Sequence, residues 1–177
     1  MNTKLFLTLS LICGLVFYDD FNQRQITANN QYAQTSVYYS QTSHSDEQIV
    51  KTIQAAHSYV YFAIYTLTKQ NIVDALIAAK LRGVDVKGLV DFNQSTIPQE
   101  KPYVAKLKKY GISLKIPLKP SGLMHIKMLV TDNTYASGSF NWTTSATSYN
   151  DEVLEIGSVK GIHDQYLKIW RTLDAKY

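Results

Sequence analysis

Nine consecutive residues, Tyr59 to Leu67 (YVYFAIYTL), carry no charge, and most are aromatic or β-branched. The run is far shorter than the roughly 20 residues of a membrane span, and its composition suits a strand better than a helix. Side chains alternate between the two faces of a strand, and here both faces are apolar. Such a strand has to be covered on both sides. That requirement excludes a one-faced open sheet and calls for helices above and below it.

The sequence on either side supplies those elements. Val37 to Ser40 reads as a strand, and Asp46 to His57 as a helix with apolar positions Ile49, Val50, Ile53 and Ala56, capped by Ser45 or Asp46. Gln70 to Arg82 is helical and stops at Gly83. Val84 to Val90 is a strand ending at Asp91, Lys101 to Tyr110 a basic amphipathic helix, and Ile112 to Ile116 a strand. Lys127 to Thr131 and Tyr135 to Ser137 are short strands around Asp132-Asn133, Glu152 to Ile156 is another, and Ile162 to Leu173 is a final helix. The alternation predicts an α/β sandwich, a mixed β-sheet flanked by helices, as a single domain over 37–177.

The chain's 177 residues are 45% hydrophobic and 18% charged, as in a globular protein. One cysteine, Cys13, excludes an internal disulfide and a cysteine-based zinc site. A formal charge of +4 and a pI near 9.0 favour anionic partners. Ahead of the domain, Lys4 and the largely apolar run Leu5 to Phe17 read as a signal peptide or membrane anchor over 1–18. A polar linker over 19–36, rich in Gln and Asn, follows it. The expected location is therefore exported, periplasmic or membrane-associated.

Chemistry concentrates in His125-Ile126-Lys127, then Asp132, then Gly138-Ser139-Phe140-Asn141. Residues two apart on a strand share a face, so His125 and Lys127 aim at one place, and Ser139 and Asn141 repeat the spacing. Asp132 falls out of phase with His125, which suits organising the turn better than touching substrate. A phosphodiester needs its charge neutralised before a nucleophile can approach; Lys127 supplies a cation, Asn141 and Ser139 neutral donors. A neutral imidazole can attack phosphorus and form a phosphohistidine, and a second histidine can then protonate the leaving oxygen.

The pattern H-x-K-x4-D followed by G-S-x-N resembles the phospholipase D superfamily, in particular its small bacterial endonuclease branch with one motif per chain. The resemblance runs from Val37 to Trp170 and takes in Ala78 to Asp91 (AAKLRGVDVKGLVD) and Asn150-Asp151-Glu152. Five residues separate Asp132 from Gly138, one fewer than in the family's usual pattern. The resemblance implies His125 as nucleophile and Lys127 and Asn141 as phosphate ligands, with no metal or other cofactor. It also implies Glu152 as the acidic residue that orients the histidine of the other motif copy. The expected catalytic set is His125, Lys127, Asp132, Asn141 and Glu152, with Lys127, Ser139 and Asn141 binding substrate. One motif per chain implies a homodimer that shares its site across a twofold axis.

Other residues invite blander readings. His44, His57 and His163 lack a lysine two residues on and read as surface or capping residues. Lys106, Lys108 and Lys109 read as a solvated helix face, and Tyr59, Tyr61 and Phe62 as core. Tyr65 and Trp142 are candidate base-stacking groups. Three functions fit: a nuclease acting on DNA or RNA, a membrane-associated lipid hydrolase, and a non-catalytic nucleic-acid-binding or uptake component.

Overall fold

The computed structural model describes residues 34–117 and 122–177. The expected signal segment lies outside the described residues, as does nearly all of the polar linker. The linker's last two residues are not linker: Thr35 and Ser36 already belong to strand β1.

In chain order the elements are β1 (Thr35–Tyr39), α1 (Ser40–Ser43), α2 (Ser45–Gln54), β2 (Tyr59–Ile64) and α3 (Gln70–Leu81). Then come β3 (Asp85–Val90), α4 (Phe92–Thr96), α5 (Lys101–Lys109), β4 (Ser113–Lys115) and β5 (Lys127–Thr131). β6 (Tyr135–Gly138), α6 (Thr144–Ser148), β7 (Val153–Gly157) and α7 (Lys160–Lys176) complete the domain. The strands form one mixed sheet in the order β1-β7-β6-β5-β2-β3-β4. β3 runs parallel to β2 and β4, and the remaining neighbours are antiparallel.

β2 lies inside the sheet, and its two faces meet different layers. Val60, Phe62 and Ile64 pack with Ile49 and Ile53 of α2, Ile72 and Leu76 of α3, and Leu107 of α5. Tyr59, Tyr61 and Ala63 face α7, where Tyr61 stacks on Trp170 with ring centroids 4.1 Å apart. Full burial of one large apolar side chain stabilises by roughly 1.5–3 kcal/mol, so both layers are needed to hold the run in place. Phe62 is core as expected, while Tyr59 and Tyr61 are half-buried.

Several local expectations need correction. Helix α2 is capped neither by Ser45 nor by Asp46: His44 takes the N-cap position in the left-handed region (φ 44, ψ 58) and makes no side-chain cap bond. His163 is not a surface residue. It is buried, and its Nε2 lies 2.7 Å from the Thr131 carbonyl oxygen, tying α7 to the end of β5. The short helices α1, α4 and α6 were not foreseen. Lys108 and Lys109 are exposed, while Lys106 pairs with Asp74 at 2.8 Å. Among the described residues, no helix is long and apolar enough to cross a membrane.

Candidate active site

Strand direction decides where the motif residues gather. β2 ends at Ile64, which pairs with Lys127, the first residue of β5. Parallel β3 ends beside it at Val90. β6 ends at Gly138, paired with Leu154 near the start of β7. One end of the sheet thus receives Tyr65, Asp91, His125 with Lys127, Ser139 with Asn141, and Glu152. Ligands of α/β sheets characteristically lie outside the carboxyl ends of parallel strands, and this is that end.

His125 precedes β5 and is exposed, whereas Lys127 is only 6% exposed. Lys127 Nζ donates to the His125 carbonyl oxygen at 2.8 Å. The Tyr65 ring neighbours both functional groups, 4.6 Å from the His125 ring and 4.9 Å from Lys127 Nζ. Burial pulls the Lys127 pKa below its usual range, and the negative charge of Glu152 opposes the shift. That coupling places Glu152 within electrostatic reach of the lysine; its Oε1 also accepts from Asn150 Nδ2 at 3.1 Å.

The second half of the motif is held by backbone. Gly138 has φ +147, and a Cβ there would stand 2.1 Å from the Val153 carbonyl oxygen. Only glycine lets β6 and β7 approach so closely. Ser139 N–H donates to that same oxygen at 3.0 Å, and Ser139 Oγ accepts from Val153 N–H at 3.1 Å. Ser139 therefore clasps the two strands, and its hydroxyl proton remains to be donated to a ligand. Asn141 Oδ1 is buried without a protein partner. The next residue, Trp142, donates its N–H to the Thr66 carbonyl oxygen at 3.1 Å, stitching this loop to the chain leaving β2.

Two expectations fail on geometry. Asp132 does not join the catalytic set: it sits at the far end of β5 and accepts from the backbone N–H groups of His57 (3.1 Å) and Ser58 (3.3 Å). Burial pushes its pKa up, but those donors outweigh burial and hold it below the usual carboxylate value. Its position out of phase with His125 had pointed to this turn-organising role. Trp142 is no stacking platform, being 2% exposed and packed against Phe62 at 5.4 Å. The shorter spacing before Gly138 is taken up by a tight hairpin with only Asp132 and Asn133 between Thr131 and Thr134.

Two buried carboxyls at this end were not singled out from sequence. Asp91 Oδ1 accepts from Asn93 and Gln94 N–H at 2.9 and 3.1 Å, capping α4, and Oδ2 accepts from Met124 N–H at 3.1 Å. Glu100 is fully buried; Oε2 accepts from Leu67 N–H at 3.0 Å and Oε1 has no partner. Burial raises its pKa to about 7. An Asp before a short helix is a recognisable cap signal, so Asp91 was legible. Glu100 was not, because nothing local forces a helix-start Glu inward. Among the described residues, no group of three or more His, Cys, Asp or Glu side chains gathers as a metal site.

A helix-flanked mixed sheet with one His-x-Lys at the mouth of an interior strand defines a phospholipase D-like scaffold. Residues 49–173 match the family model described as "Cardiolipin synthase, PLD-like domain", and the chain belongs to the phospholipase D superfamily of phosphodiesterases. A protein named phospholipase D from Rickettsia prowazekii is 32% identical over 123 residues, covering 69% of this chain and 58% of that protein. A mitochondrial cardiolipin hydrolase from Danio rerio is 27% identical over 139 residues, 76% of this chain and 60% of that protein. The chain thus spans about six tenths of the length of these curated relatives. The crystal structure of Nuc from Salmonella typhimurium, described as a phospholipase D family member, superposes with a TM-score of 0.74 at 27% identity. That match covers 79% of this chain and 93% of Nuc. NucT from Helicobacter pylori shares the fold, with a TM-score of 0.73 at 22% identity, over 79% of this chain and 94% of that one.

Proposed function

We propose that this protein is an exported, metal-independent endonuclease that cleaves DNA through a phosphohistidine on His125, in a site shared by two copies of the chain. The observation that carries the reading is an exposed imidazole and a buried ammonium gathered against one ring, that of Tyr65, at the same end of the sheet. In the first step an imidazole nitrogen lone pair of His125 forms a bond to phosphorus. The P–O bond to the leaving oxygen breaks, and that oxygen takes a proton from the partner subunit's histidine. In the second step water attacks phosphorus, the same partner histidine accepts its proton, and the N–P bond breaks to restore His125. Lys127 offsets charge on the phosphate oxygens throughout, a role that needs no metal.

Nucleic acid is favoured over lipid by the basic balance, by the sequence likeness to the one-motif endonuclease branch, and by the near-complete overlay on Nuc. A membrane-associated lipid hydrolase is the second reading, supported by the names of the curated relatives and by the apolar N-terminal run. Export rests on that run alone. For the dimer, support comes from the single His-x-Lys and from exposed apolar groups around Glu152: Tyr39, Tyr149 and Val153. The deciding assay offers single-stranded DNA, duplex DNA, RNA and phosphatidylcholine vesicles to the purified protein in EDTA. DNA cleavage should persist in EDTA and vanish in His125→Ala and Lys127→Ala proteins that remain folded. Cleavage that needs added magnesium, or a His125→Ala protein near wild-type rate, would refute the mechanism. Vesicle hydrolysis without DNA cleavage would transfer the site to the lipid reading.

A further inference from the structure

Tyr65 stands at the junction of a small network that reaches His125 by two routes. Its ring touches the imidazole at 4.6 Å, tilted by 56°, and covers Lys127 Nζ at 4.9 Å. Its hydroxyl accepts from Gln94 Nε2 at 3.2 Å. Gln94 sits on α4, the helix whose N-terminus Asp91 caps through the Asn93 and Gln94 N–H groups. The other oxygen of Asp91 holds Met124 N–H, the residue immediately before His125. One carboxylate therefore fixes the backbone entering His125 and, through Gln94 and Tyr65, the ring against which the imidazole rests.

We propose that Tyr65 is a positioning residue for His125, setting the imidazole and the Lys127 ammonium in fixed relation while Gln94 and Asp91 hold the ring in place. A freely rotating exposed imidazole points its lone pair at phosphorus only part of the time. A ring held in contact with it restricts that freedom before substrate arrives, and misplacing a reacting atom by about 1 Å can cost about 100-fold in rate. The role is distinct from base stacking, because the ring already contacts both His125 and Lys127 before any base arrives. It rests on His125 as the nucleophile.

The test uses the full chain with bis(p-nitrophenyl) phosphate, a chromogenic diester; stacking of its rings on Tyr65 in the ground state would register in KM, whereas lost orientation registers in kcat. Tyr65→Leu removes the ring, while Tyr65→Phe keeps it and loses only the bond from Gln94. Tyr65→Leu should lower kcat by about 10- to 100-fold with KM within about threefold, the signature of lost orientation. Tyr65→Phe should restore kcat to within about threefold of wild type, as the ring supplies the orientation. Phosphohistidine trapped by rapid quench should fall in parallel with kcat, and the His125 ring-proton NMR signals should move in Tyr65→Leu but stay near wild type in Tyr65→Phe. Wild-type kcat in folded Tyr65→Leu would overturn the proposal, as would equal losses in both variants that track their melting temperatures. His125→Ala is run alongside: activity there refutes the nucleophile assignment, whereas a dead His125→Ala with an unimpaired Tyr65→Leu refutes only the positioning role.

Discussion

Asp132 and Glu100 are carboxyls whose environments act in opposite senses, so their contributions to stability are lost in opposite directions of pH and in different windows. The folded pKa of Asp132 lies below its usual 3.8. Its contribution is complete above that unfolded value and is lost as pH falls through the lower folded one. Glu100 is raised from 4.5 to about 7. Its contribution belongs to the protonated form, is present below pH 4.5, and is lost as pH rises towards about 7. Asp132→Ala removes an acceptor from two backbone donors, which should cost about 2 kcal/mol, or roughly 4–8 °C in Tm. Glu100→Gln should remove the decline in Tm that wild type shows between about pH 5 and pH 7. Thermal melts across that range decide both. An unchanged Tm in Asp132→Ala would remove its structural role, and a wild-type slope in Glu100→Gln would remove the buried-acid account.

At the scale of elements, the crossing of β6 and β7 at Gly138 joins the fold to the site. Gly138→Ala forces a side chain at φ +147 into the Val153 carbonyl, a strain on the order of 1–3 kcal/mol. Because Ser139 clasps Val153 just beyond, Tm and turnover should drop together. Gly161→Ala, where the added methyl meets nothing within 4 Å, should leave both unchanged. A Gly138→Ala protein with wild-type turnover would show that the strands need not approach so closely for Asn141 and Glu152 to be placed. How legible each element was follows from the same physics. β2 announces itself because burial on both faces leaves a continuous apolar run, whereas β3 shows alternation first, with half-buried Asp85 and Lys87 flanking buried Val86. α4 and α6, at five residues each, are too short for a helical period to emerge and are held by Asp91 and Thr143 caps. Trp142 adjoins the motif in sequence yet belongs to the core, because alternation turns the residue after Asn141 away from the site. His163 was misread because its partner, the Thr131 carbonyl, is 32 residues away in sequence. The His125 and Lys127 pairing was legible from strand geometry, but Tyr65 as their common neighbour needed the β2–β5 register.

For the whole molecule, the shared-site proposal follows from a count: the mechanism uses two histidines, and each chain carries one His-x-Lys. Exchanging wild-type and His125→Ala subunits in equal amounts should leave about one quarter of dimers wild type. Mixed dimers lacking either the nucleophile or the acid should be slowed by about 10²–10⁴-fold. Total activity should therefore settle near a quarter, checked by mass or tag to confirm exchange; half, or a fully active monomer, would refute sharing. The edge pairing of β1 with β7 bears on how the domain responds to a pull at residue 34. Any chain tension applied at residue 34 reaches the domain through Thr35, which pairs with Gly157 at the end of the ladder remote from His125. Pulled outward, β1 comes away pair by pair, from Thr35 towards Tyr39, like a strip peeled from one end. Beyond Tyr39 the next fastening is a pair of hydrogen bonds between Ser40 and Glu152, Ser40 N–H to the Glu152 carbonyl and Glu152 N–H to the Ser40 hydroxyl, both 3.0 Å. Five rungs must open before a pull at residue 34 reaches the acidic residue at the mouth, so the edge strand insulates the site from strain entering at that end.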